Sequence, residues 1–199
     1  MTHHQENNVN RLMQTAVGAG LATIMCVSYP CVGNSQTLTS TPAVRDGQHD
    51  FDFNIGVWHT HIERTVDPFA SSPQSVELNG TVTVRKVWGG KALLEEIEAD
   101  GPGGHWEGLT LFLYNPRAHQ WTQSFADREA GTLASNVGEF QNGRIVFAGQ
   151  DTLNDRTILL RGVWSDIKPD SHQYAEWNSN DGGATWAQSF IAKLTRLKQ

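Results

Sequence analysis

The sequence is short of cysteine, of clustered basic charge and of long apolar runs, and each shortage removes a class of function. Its two cysteines, Cys26 and Cys31, both fall near the N-terminus, and Met25 and Pro30 stand where a lipoprotein acylation site wants a small residue. Beyond Cys31 there is no thiol, which excludes thiol catalysis, cysteine-ligated metal and structural disulfides from that part of the chain. Lysine and arginine cluster nowhere beyond the pair Arg85-Lys86, and the net charge is −6. Nucleic acids and anionic membranes demand a basic face, so neither is an expected partner. No segment supplies the ~20 consecutive apolar residues of a comfortable membrane-spanning helix. Gly-x-Ser-x-Gly elbows and dinucleotide fingerprints are missing, and Gly89-Gly90-Lys91 lacks the upstream glycine of a phosphate loop.

What is present divides the chain in three. Arg11, the apolar stretch Ala16–Val27 and small residues near Gly33-Asn34-Ser35 have the order of a secretory signal peptide, so residues 1–35 are expected to be removed on export. The expected location is periplasmic or secreted, with membrane contact only through an uncleaved signal. Residues 36–50, rich in Ser and Thr without periodicity, read as a linker or N-terminal strap, and residues 51–199 as one folded domain.

From Phe51 onward, apolar residues recur with period two and no stretch keeps a helical period. In Val76–Trp88, for example, Val76, Leu78, Gly80, Val82 and Val84 share one face while Glu77, Asn79, Thr81, Thr83 and Arg85 share the other, as a half-buried antiparallel strand requires. Further strands are expected over Gly56–Val66, Ala92–Asp100, His105–Asn115, Gln120–Asp127, Leu133–Gln141, Arg144–Gln150, Arg156–Ser165, Ser171–Asn178 and Thr185–Leu197. Turn residues separate them at Gly101–Gly104, Asn115-Pro116, Asn142-Gly143 and Asp181–Gly183. About ten strands joined by hairpins predict an all-β fold, a single antiparallel up-and-down barrel that leaves few edges open.

Phe51-Asp52-Phe53, Gly56-x-Trp58, Gly89-Gly90-Lys91 before Glu95-Glu96, Trp106-Glu107-Gly108 and the hairpin Ser179–Trp186 together resemble a family of secreted bacterial lipocalin-like proteins of unknown function. The resemblance spans Phe51 to about Arg196 and implies a calycin-type barrel without implying a reaction. It also implies that Trp58 plugs one barrel end beneath a basic residue from the last strand, Lys193 or Arg196. This chain has Asn54-Ile55 where many members carry a second aromatic. The Ser179–Trp186 hairpin is also similar to a sialidase Asp-box, in which Asp181 would cap backbone N–H groups; one copy is too few for a propeller.

Glu95 is the candidate catalytic residue. It is the one charge on the apolar face Leu93-Glu95-Ile97-Ala99, and a carboxyl aimed into an apolar interior must be paired or protonated. It is either a general acid or base, a ligand-orienting group, or one half of an ion pair with Arg64 or Arg161. Trp58, Arg64, Trp121, Gln123, Tyr174 and Glu176 are the expected ligand-binding residues, with Trp164 and Trp177 placed near strand ends. His59, His61 and Glu63 share a face at about 6.6 Å spacing, as metal ligands can, but Trp58, Thr60 and Ile62 take the inner face. The histidines then point to solvent and no metal is expected. No cofactor is expected either, since the glycine-rich first-strand motif of nitrobindin-type haem barrels is missing. The leading expectation is an exported barrel that binds a small, mostly apolar ligand. The alternatives are an isomerase, cyclase or hydrolase using Glu95 in the same cavity, and a side-chain-filled barrel that recruits a partner protein.

Overall fold

The structure, a computed structural model, describes residues 45–129 and 131–198. The expectations for residues 1–35, including both cysteines, lie outside the described residues. Ten strands follow in order: β1 Gly56–Thr65, β2 Ser75–Val87, β3 Ala92–Gly101, β4 Gly104–Asn115, β5 Gln120–Asp127, β6 Thr132–Gln141, β7 Arg144–Leu153, β8 Arg156–Lys168, β9 Ser171–Ser179 and β10 Ala187–Arg196. Each pairs antiparallel with its sequence neighbours, and β10 pairs with β1 to close a barrel.

The turns follow their chemistry. Asn142 and Gly143 both have positive φ, as a two-residue hairpin of type I′ needs, and so do Asn154 and Asp155 between β7 and β8. The second of these turns lets β7 run to Leu153, three residues past the end that its sequence pattern gave. In the β9–β10 connection, Asp181 accepts from the Thr185 N–H at 2.9 Å and the Thr185 hydroxyl at 2.6 Å, and Ser179 donates to it at 2.7 Å. These donors hold the Asp181 carboxyl down to a pKa of about 2, as a structural cap of the turn.

One end of the barrel is shut by the chain entering it. The folded region begins before Phe51: the Gly47 carbonyl accepts from the Trp121 indole at 2.9 Å, its N–H donates to the Tyr114 oxygen at 2.9 Å, and Arg45 pairs with Asp50. Residues 45–50 are therefore a strap that belongs to the domain. A single 3-10 turn, Asp52–Asn54, then crosses the barrel end. Phe51 enters the core with no exposed surface and lies 4.7–6.0 Å, centroid to centroid, from Phe112, Trp121, Phe147 and Trp164. Trp58 donates to the Asn54 carbonyl at 2.8 Å, and the Arg196 guanidinium lies 3.9 Å from the centre of its ring. Arg196 also donates to the carbonyls of Phe53, Ile55 and Pro169, so Arg196 is the cation over the tryptophan, whereas Lys193 points to solvent.

Candidate functional site

The aromatic plug fills one half of the interior and leaves the other half hollow. Alternation along each strand aims one residue in two inward, and at the end carrying the β1–β2, β3–β4, β5–β6, β7–β8 and β9–β10 connections these side chains enclose a cavity of about 370 Å³. That is far above the ~10–15 Å³ that holds a single water, and within the roughly 300–1,000 Å³ of small-molecule sites. Such a hollow speaks against the alternative of a barrel filled with side chains; the plug stops at the level of Trp164.

Glu95 sits where the plug meets the cavity, and it is 4% exposed. Its Oε2 accepts from Asn54 Nδ2 at 3.0 Å, and its Oε1 accepts from the Thr110 hydroxyl at 2.8 Å. Thr110 is the residue directly opposite Glu95 on β4, and Asn54 is the last residue of the plug. The basic partner expected for Glu95 is not there. Arg161 lies 4.4 Å from the centre of the Trp186 ring and 5.7 Å from that of Trp177, and Arg64 acts on Glu176 instead. Desolvation raises the Glu95 pKa, and the two neutral donors oppose it.

A second polar cluster lines the wall formed by β8, β9 and β10. The Tyr174 hydroxyl donates to Glu176 Oε2 at 3.0 Å, and Ser189 reaches Glu176 Oε1 at 3.3 Å. Ser189 comes into range because the β9–β10 register shifts between Gln188 and Phe190. Tyr174 has room because residue 162, its neighbour on β8, is glycine; a Cβ there would strike the phenol oxygen. Gln123 accepts from the Trp164 indole at 3.0 Å. Burial lifts the Glu176 carboxyl to a pKa of about 7; Tyr174, Ser189 and Arg64 pull it down while Asp151 pushes it up. The Tyr174 phenol is pushed well above its ordinary value, first by burial and then by Glu176.

Of the residues singled out from the sequence, Glu95, Arg64, Gln123, Tyr174 and Glu176 border this one cavity. Trp58 and Trp121 do not: both are buried in the plug, where their indoles are spent on backbone carbonyls. Trp164, expected near a strand end, is buried inside β8 and borders the cavity, while Trp177 lies two residues from the end of β9 and faces the outside against Arg161. His59 and Glu63 are exposed and His61 bonds Asn79 at 2.9 Å; among the described residues no group of three potential ligands could hold a metal. Sequence reading missed Asn54, Thr110 and Ser189. Thr110 alone carried a signal, since it is a polar residue on the inward face of β4 beside Phe112.

No protein-family model matches the chain, and no curated protein matches it. Among solved structures it is similar to an S-type phycobiliprotein lyase from Guillardia theta, with a TM-score of 0.55 and 13% identity over 78% of this chain and 95% of that one. The fold is lipocalin-like. A redesigned β-barrel aligns with a TM-score of 0.40 at 9% identity, over 74% of this chain and 94% of its own. A de novo designed fluorescence-activating β-barrel aligns with a TM-score of 0.39 at 12% identity, over 77% of this chain and 99% of its own. At these identities the likeness is one of fold, so what the lipocalin-like barrel of this chain does rests on its own cavity.

Proposed function

We propose that this protein is an exported barrel that binds one small, mostly apolar ligand in the cavity above Glu95. The observation that carries the reading is the division of the interior: an aromatic plug on one side, and on the other a hollow of about 370 Å³ walled by Ile62, Ile97, Trp106, Phe125, Trp164 and Phe190. Apolar walls supply affinity through burial, at ~25 cal/mol per Å² of apolar surface removed from water. The two polar clusters, Glu95 with Thr110 and Glu176 with Tyr174, supply orientation.

The reading includes export and membership of the secreted lipocalin-like family. Export is supported by the order of charge and apolarity in residues 1–35. Membership is supported by the places its motif residues take: Phe51 and Phe53 in the plug, Trp58 under Arg196, and Ser179–Trp186 as the closing hairpin.

Filling the cavity tests the binding reading. Ala192 faces it from the middle of β10 and is 7% exposed. Replacing it with phenylalanine should abolish binding of a neutral apolar fluorescent dye such as N-phenyl-1-naphthylamine while the near-ultraviolet circular dichroism of the plug persists. Equal dye binding by both proteins would place the dye elsewhere and count against the cavity.

One observation favours a second reading, an enzyme in the same cavity. Glu176, with a pKa of about 7 and the Tyr174 hydroxyl at 3.0 Å, has the proton affinity of a general acid or base near neutral pH, and Glu95 lines the same space. An isomerase, cyclase or hydrolase would use such a pair. Glu95→Gln separates the two readings. A binding protein keeps most of its affinity for a neutral ligand, whereas an enzyme loses turnover.

A further inference from the structure

The charges around the cavity are lopsided. Glu95 and Glu176 lie along its walls and Asp127 and Asp151 nearer its mouth, against a single arginine, Arg64. Neither lysine nor histidine lines it among the described residues. The polar groups are unbalanced in the same sense. Thr60, with no exposed surface, and Asn178, 7% exposed, both border the cavity, and Thr60 Oγ1 and Asn178 Oδ1 are buried without a hydrogen-bond partner. Orphaned buried oxygens cost free energy until a donor reaches them. Several donors beside the cavity are already engaged: Asn54 and Thr110 on Glu95, Tyr174 on Glu176, and the Trp106 indole on Asp127 at 3.2 Å.

We infer that the ligand is an apolar amine, a protonated nitrogen on an aromatic or alicyclic body, because the cavity offers four carboxyl groups and two orphaned oxygens against one guanidinium. The inference deepens the binding reading above and depends on it. A primary ammonium brings three N–H donors and no acceptor, which is what such a wall lacks. Its charge is attracted by the carboxylates and its body takes the aromatic surface. A fatty acid or other carboxylate of the same shape would enter against like charge and add acceptors where acceptors already stand idle.

The pH behaviour follows from Glu176. It faces Tyr174 on its own strand, Ser189 on β10, Arg64 on β1 and Asp151 on β7, while Glu95 on β3 acts on Tyr174. With its pKa at about 7 it is mostly protonated at pH 6 and mostly ionised at pH 8. An alkylammonium stays protonated across that range, so its affinity rises with pH and binding near neutrality releases a proton.

The test is calorimetric titration of the protein with three matched probes, naphthalen-2-ylmethylamine, naphthalen-2-ylmethanol and 2-naphthoic acid, at pH 6 and pH 8. The expected result at pH 8 is an amine about tenfold tighter than the alcohol, with the acid weakest. That advantage should narrow severalfold at pH 6, and in Glu176→Gln it should be small at both pH values. The pH comparison on the unmodified protein stands even if the variant folds poorly. Binding of the alcohol or the acid as tightly as the amine overturns the inference and leaves the container standing. Failure of all three probes overturns both.

Discussion

Two buried groups of opposite type should nearly cancel in the pH dependence of stability, and removing either should expose the other. Burial in the folded barrel raises the Glu176 carboxyl from 4.5 to about 7. His172, 3% exposed with its ring centre 4.3 Å from that of Trp58, is lowered from 6.5 to about 4, first by burial and then by the charge of Arg196. An acid with a raised pKa keeps its proton in the native state longer than in the unfolded state, so its contribution falls as pH rises from 4.5 to 7. A base with a lowered pKa binds its proton more readily when unfolded, so its contribution rises with pH from 4 to 6.5. At ~1.4 kcal/mol per pH unit each amounts to about 3 kcal/mol, and the two oppose each other. Glu95, also raised by burial, adds to the fall. The unmodified protein should therefore lose stability between pH 4.5 and 7 mainly through Glu95, since the other two contributions offset each other. Glu176→Gln should match it near pH 4.5 and exceed it by about 3 kcal/mol at pH 8, where the native carboxylate is ionised inside the wall. His172→Phe should lose stability more steeply than the unmodified protein across the same interval. Urea unfolding at half-unit pH steps, with the slope m checked for constancy, reads both differences. A Glu176→Gln profile parallel to that of the unmodified protein would refute the burial of this carboxyl.

Three other predictions concern the plug and its link to the site. Phe51→Ala removes a ring packed against four aromatic side chains and should cost about 3–5 kcal/mol by thermal or urea unfolding. Arg196→Ala removes three hydrogen bonds to carbonyls and the contact with the Trp58 ring, for a loss of about 3 kcal/mol and a change in tryptophan fluorescence; a loss under 1 kcal/mol would mean that the cation does not hold the plug. Asn54→Ala takes one of the two donors from Glu95, so the Glu95 carboxyl should titrate at still higher pH by carbon-13 NMR, with a stability loss of about 1–3 kcal/mol.

Strand faces were legible from the sequence because burial has period two. Glu95, Gln123, Tyr174 and Glu176 all point inward as their alternation predicts, and the barrel closes between β1 and β10. Three things were not legible, each for a physical reason. The path of the chain across a barrel end is encoded by no local pattern, so Asn54 could not be matched to Glu95, whereas Thr110 faces it through the register of the β3–β4 hairpin. The bulge that brings Ser189 inward breaks the alternation by which faces are read. Trp58 and Trp121 are as apolar and as inward-facing as Trp164, and only the path of residues 45–55 across the barrel end decides which tryptophans belong to the plug and which to the cavity. The turn at Asn154-Asp155 carried a signal, since both residues tolerate positive φ, and it extends β7 to place Asp151 at the cavity mouth.

The central claim is that the hollow half of the barrel holds a small molecule. Native mass spectrometry of the protein exported by a bacterial host, followed by denaturing extraction, tests it most directly. The account predicts a one-to-one adduct that survives gentle ionisation, is lost in Ala192→Phe, and extracts as a mostly apolar compound. An unliganded mass for the unmodified protein, together with dye binding that Ala192→Phe leaves untouched, would contradict it.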